Sequence, residues 1–221
     1  MATAARILGA GDVFSRRDDG HSPLDAAARP LMAFESIQGR LVELSTQGAE
    51  VALTLGVRAV HAAQLEDEPT AWLGCRESAF FPEDVRDSGV DLEALPCVRL
   101  ASADALSRAL SHLVRSGAFG LVVVDLVECP WADRSLPTPL QSRVEALCRT
   151  HGSCVLCLTR RSPEEPALGP MVSLRLHAVR VWGEGTPSLE LVTLRDKRAQ
   201  PEKPRRLRFA SPLGVATRAH G

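Results

Sequence analysis

Asparagine and tyrosine are missing from this chain of 221 residues, and isoleucine occurs only at Ile7 and Ile37. Lysine is almost missing too. Of the 26 basic residues only Lys197 and Lys203 are lysines, and the rest are arginines. Any chemistry that needs a lysine before residue 197 is therefore excluded. No apolar run approaches the length of a membrane span, and the first residues lack the layout of a secretory signal. A cytoplasmic protein with no membrane contact is expected. A net charge of −1 gives no global attraction to DNA or anionic lipid, so any such contact has to be local.

Metal and nucleophile chemistry are equally poorly supplied. The six cysteines (Cys75, Cys97, Cys129, Cys148, Cys154, Cys157) are scattered and sit mostly inside apolar stretches, which fits reduced, buried thiols better than a disulfide framework. Cys154 and Cys157 form a CxxC, but within CVLCL, which reads as a strand. Positions three apart on a strand point to opposite faces, so the two thiols do not share a metal easily. The six histidines lie far apart without metal spacing, and no serine sits in a nucleophile elbow. No cofactor and no metal is expected.

What is present fits a single α/β domain with tails. Hydrophobic residues make up 45% and charged residues 24% of the chain, ordinary values for a globular protein. The organising stretch is Leu121–Asp125, LVVVD. Its apolar run lacks polar alternation and suits a strand buried on both faces of a parallel sheet. The closing aspartate falls at the carboxyl edge of the sheet, where open α/β folds place ligands. It is either an ordinary strand end or a carboxylate that holds the water shell of a magnesium ion.

Residues 1–35 read as an N-terminal segment and linker, with a short helix expected over 24–34. Residues 36–211 read as the folded domain, and 212–221 as a tail. GRLVELS after Gly39 predicts a strand, and the apolar spacing of 48–64 predicts a helix. TAWLGC (70–75) and CVRLA (97–101) predict further strands. A short helix opens at Pro82, where the missing N–H costs nothing, and Gly89 closes it. Ser102 is a candidate N-cap for a helix with Leu106, Leu110, Leu113 and Val114 on its buried stripe, ended by Gly117. A helix around 140–149 precedes the strand CVLCLT (154–159). Strands alternating with helices predict a parallel sheet with right-handed crossovers. From Met171 onward, VSLRLHAVRVW, ELVTLR and RLRFA alternate apolar and polar residues without helices, which predicts an antiparallel meander.

The order and spacing of GRLVEL, a helix, TAWLGCRESAFFPEDVRDSGVDLEAL and ALSHLVRSGAFGLVVVD resemble the RecA recombinase core over about residues 39–126. LELVTLRDKRAQP, within 154–209, is similar to a late strand and basic turn of that core. The resemblance implies a RecA-like sheet. ESAFFP is similar to the segment that carries the RecA catalytic glutamate, which places Glu77 there, with an ordinary loop carboxylate as the alternative. Asp125 falls on the magnesium-associated aspartate.

One segment departs from that pattern. A phosphate-binding loop needs glycines so that backbone N–H groups ring the phosphates, a lysine on the β/γ oxygens, and a Ser/Thr hydroxyl on the magnesium. Here STQGAEVALTL (45–55) offers Gly48 alone, with Val51, Ala52 and Leu53 where Gly-Lys-Thr is expected and with Glu50 adding a negative charge. Without the lysine, Glu77 and Asp125 would repel a triphosphate, and an unpaired buried charge costs several kcal/mol. Both residues are expected to be vestigial in a degenerate ATPase. RecA-like chains with a lost nucleotide loop and shortened DNA loops resemble the ImuA group, described as SulA-like. That resemblance implies an accessory role in damage-induced mutagenesis and translesion synthesis, with RecA, a Y-family-type polymerase accessory subunit and an error-prone polymerase as partners.

Two further features are candidates for contacts. Arg195, Lys197, Arg198, Lys203, Arg205, Arg206 and Arg208 face only Asp196 and Glu202 within fourteen positions, a local excess suited to phosphates. No aromatic is interleaved before Phe209, so stacking is missing; a solvated, charge-protected strand edge is the alternative. Trp131, in CPWAD, is a candidate protein-contact anchor if exposed. A weak DNA-binding module on the basic segment and a residual RecA-type ATPase are thus the alternatives to an accessory protein.

Overall fold

The computed structural model describes residues 34–134, 136–182, 187–199 and 206–210; the segments 1–33 and 211–221 lie outside them, and with them all but the last residue of the helix expected over 24–34. A single turn, α1 (Phe34–Ile37), buries Phe34 and Ile37 and leads through Gly39 into β1 (Arg40–Thr46). Gly39 has φ +67°, a left-handed conformation that L side chains adopt at a cost. Then follow α2 (Ala49–Gln64), β2 (Thr70–Cys75), a 3₁₀ turn over Pro82–Ser88, β3 (Cys97–Leu100), α3 (Ala103–Ser116), β4 (Leu121–Asp125), α4 (Thr138–His151), β5 (Cys154–Arg160), β6 (Leu174–Trp182), β7 (Pro187–Asp196) and β8 (Arg206–Ala210).

These strands form one sheet in the order β3-β2-β4-β5-β1-β6-β7-β8. From β3 to β6 all neighbours pair in parallel, and β7 and β8 add antiparallel. The fold is thus α/β, a mainly parallel sheet flanked by helices with an antiparallel C-terminal extension. The meander expected from Met171 onward is there, β6, β7 and β8 pairing antiparallel in turn, but its first strand also lies parallel to β1 on its other edge, with Val42 opposite Leu174 and Thr46 opposite Ala178. Along that strand Leu174, Leu176 and Ala178 join the core on one side, while Arg175 and His177 are buried polar residues on the other.

The local signals that end the helices act as expected. Ser102 Oγ accepts from the Ala105 N–H, and Gly117 closes α3 with φ +64°. Gly89 closes the 3₁₀ turn that Pro82 opens. On one face of the sheet, Val42, Leu44, Trp72, Val123 and Leu156 pack under Val51, Ala52, Leu55, Ala59 and Val60 of α2. On the other, Leu41, Leu73, Val122, Val124 and Val155 meet Leu106, Leu110 and Val114 of α3 and Val144 and Cys148 of α4. Cys154 belongs to the first cluster and Cys157 to the second, so the CxxC is split across the sheet.

A charge lies inside the sheet. Glu43 on β1 is fully buried. Its carboxylate accepts from Thr159 Oγ1 at 3.0 Å and from the Leu168 N–H at 2.9 Å, and it faces Arg175 Nε at 3.5 Å. Arg175 also donates to the carbonyls of Glu165 and Ser162. The connection from β5 to β6 contains no helix and is held down by these bonds instead.

Candidate functional site at the carboxyl edge of the sheet

The parallel strands present their carboxyl ends at one edge, and there the residues singled out from the sequence come together only in part. Between Thr46, the last residue of β1, and Ala49, the first of α2, stand only Gln47 and Gly48. Gly48 is extended, with φ −123° and ψ 135°, and gives α2 no side-chain cap. Thr46 Oγ1 donates to the Gly48 carbonyl at 2.6 Å, which folds the turn back on the strand. Two residues are at the short end for a strand-to-helix connection, and Gly48 lacks the left-handed conformation from which anion-binding nests are built. Val51 and Ala52 are buried against the sheet, while Leu53 and Thr54 are half-buried.

Asp125 ends β4 and is only 2% exposed. Ser78 Oγ donates to its Oδ2 at 2.5 Å, and the Val127 N–H donates to Oδ1 at 3.2 Å. Burial raises its pKa above the ordinary aspartate value, partly offset by these two hydrogen bonds. Ser78 in turn accepts from the Phe80 N–H at 3.2 Å. The aspartate therefore ties β4 to the segment that follows β2. Gly74 on β2 makes room for this tie, since a Cβ there would lie 3.2 Å from the Ser78 Cβ.

Glu77 lies in the same segment, exposed to solvent. The segment is fastened by a residue that the sequence did not single out. Arg99 on β3 donates to the carbonyls of Ser78 at 3.0 Å and Phe80 at 2.5 Å, and its guanidinium lies over the Phe81 ring at 5.1 Å. Phe80 stacks on Trp72, with ring centroids 4.0 Å apart. Beside Glu77 lie the thiols of Cys75 and Cys129. Burial raises the Cys75 thiol and pushes Cys129 up to about 12, so both stay protonated near neutral pH and are poor nucleophiles. Among the described residues no group of three or more His, Cys, Asp or Glu side chains is arranged to hold a metal.

The other candidates lie elsewhere. Trp131 is half-buried and packs against the core beneath α3 and α4. In the basic segment, Lys197 Nζ donates to the Pro170 carbonyl at 2.5 Å, and Arg198 donates to the carbonyls of Gln38 and Gly39. These two cations serve as internal fasteners. Arg195 is exposed. Arg206 and Arg208 stand on β8 opposite Val192 and Glu190, and Lys203 and Arg205 lie outside the described residues. Among the described residues no helix is long and apolar enough to cross a membrane.

No family model matches the chain. It is 28% identical to the protein RecA of Corynebacterium jeikeium over 134 residues, which is 58% of this chain and 36% of that protein. It is 27% identical to the protein RecA of a Nocardioides species over 134 residues, 58% of this chain and 38% of that protein. The chain thus spans less than two fifths of the length of the curated relatives it matches, and its relation to RecA is distant and partial.

Proposed function

We propose that this chain is a non-catalytic RecA-like accessory protein of the bacterial DNA-damage response, of the ImuA kind. It acts through protein contacts with RecA or with the polymerase complex of translesion synthesis. The observation that carries this reading is the two-residue turn Gln47–Gly48 between β1 and α2. A loop that grips a triphosphate supplies a ring of backbone N–H groups, a lysine and a metal-binding hydroxyl. Here the corresponding stretch gives Val51 and Ala52 to the core, and lysine is missing before residue 197. Asp125, with both oxygens accepting protein hydrogen bonds, serves as a structural tie. What supports the setting is the RecA similarity on a sheet of matching class.

Binding of the purified chain to RecA filaments, and separately to the polymerase accessory subunit, tests the proposal by biolayer interferometry. Saturable binding to either supports it. Failure to bind both, together with nucleotide hydrolysis by the chain alone, would replace it with the ATPase alternative.

A further inference from the structure

Helices α3 and α4 lie side by side on one face of the sheet, and a groove of about 410 Å³ runs between them, open to solvent. Its walls carry Arg108, His112 and Arg115 from α3 and Arg143 from α4, with Ser107 and Ser111 between them and no acidic side chain. The cause is periodicity. Burying Leu106, Leu110 and Val114 turns Arg108, His112 and Arg115 outward on the opposite side of the same helix. Arg108 and Arg115 are separated by two turns, about 10 Å along the axis.

The charge here is unspent. Several exposed arginines elsewhere have carboxylate partners, as in Arg86 with Glu83, Arg149 with Glu145 and Arg160 with Glu128. Among the described residues Arg108, Arg115 and Arg143 have none, although Asp104 stands one turn before Arg108 on α3. The groove also receives the positive end of α4, whose first turn holds no acidic residue and whose N-cap, Pro137, supplies no side-chain cap.

We propose that this groove binds the phosphodiester backbone of a nucleic acid without reading its bases. Guanidinium groups and serine hydroxyls are donors that proteins use on phosphate oxygens, and both line this groove. A small phosphorylated ligand would be enclosed over most of its surface, whereas Arg108, Arg115 and Arg143 are solvent-exposed and suit a long polyanion lying across them. The groove lining holds no Phe, Tyr or Trp, so the large stacking platforms of single-strand binders are missing. This site is distinct from the basic segment 195–208, and it stands independently of the partner contacts proposed above.

Fluorescence anisotropy with a labelled 20-nucleotide strand and the matching duplex tests it. Three phosphate contacts predict an affinity that falls about twentyfold for the single strand, and about fortyfold for the duplex, between 50 and 200 mM salt. The variant R108A/R115A/R143A should lose at least about tenfold at the lower salt and most of the salt slope. R86A/R149A/R160A removes the same charge from paired arginines and should stay near the parent. All six side chains are exposed, and thermal melts confirm folding. Unchanged binding by the groove variant, an equal loss in the control, or no binding by the parent would each overturn the site. Poly-glutamate that displaces the strand at equal charge concentration would overturn the phosphodiester assignment.

Discussion

Two buried carboxylates behave oppositely, and the difference lies in what faces them. Glu43 has two guanidinium groups, Arg175 and Arg161, and two hydrogen-bond donors around it. Removing it leaves Arg175, 7% exposed, without its counter-charge. Breaking a buried pair from one side costs about 3–5 kcal/mol, so Glu43→Ala is expected to lose that much in urea denaturation at pH 7. A loss below about 1 kcal/mol would show that the pair is not what holds β6 to β1. Among the described residues Asp125 accepts from Ser78 and Val127, and burial raises its titration point. A carboxyl whose folded value lies above its unfolded one binds its proton more tightly in the fold. Its stabilising effect is therefore full at low pH and is lost as pH rises from the ordinary value of 3.8 through the raised one. Asp125→Asn should remove that downward step from a plot of stability against pH, whereas an unchanged step would assign it to another group. Glu43 could not have been recognised as a buried charge from the sequence. GRLVELS shows a carboxylate in an apolar run, but its partners Thr159 and Leu168 stand 116 and 125 positions away.

At the scale of elements, α2 seats itself on the sheet through a glycine. A Cβ on Gly56 would lie 2.8 Å from the Trp72 ring and 3.0 Å from Leu158. Alanine raises helix propensity by roughly 0.5–1 kcal/mol, but overpacking in a filled core costs about 1–3 kcal/mol. Gly56→Ala is therefore expected to lower the melting temperature despite the better helix former, and a rise would mean that α2 has slack against β2. Boundaries of this kind were legible in advance wherever a side chain acts on its own backbone, as Ser102 does at the start of α3. The glycine ends Gly89 and Gly117 belong to the same class. The antiparallel run of β6, β7 and β8 was legible, but the parallel pairing of β6 with β1 on its other edge was not. Alternation along a strand reports which faces are apolar and says nothing about whether the neighbour runs parallel. The connection from β5 to β6 is a loop fastened through Glu43, Arg175 and Lys197. Likewise the buried stripe of α3 was visible as a pattern, but its outward arginines gain meaning only when α4 brings Arg143 and its own N-terminus alongside.

At the scale of the molecule, a parallel sheet gathers the ends of β1, β2 and β4 at one edge, the place where an α/β fold binds its ligand. Here that edge is closed by the chain itself: Gln47–Gly48 forms a tight turn, Ser78 and Val127 satisfy Asp125, and Arg99 holds the segment bearing Glu77. On the proposed accessory role, recognition falls to the outer face. The most direct measurement is isothermal titration of the chain with ATP and magnesium at low salt. The absence of binding heat at millimolar nucleotide is the expected result. Magnesium-dependent binding of ATP that is lost in Asp125→Ala would contradict it.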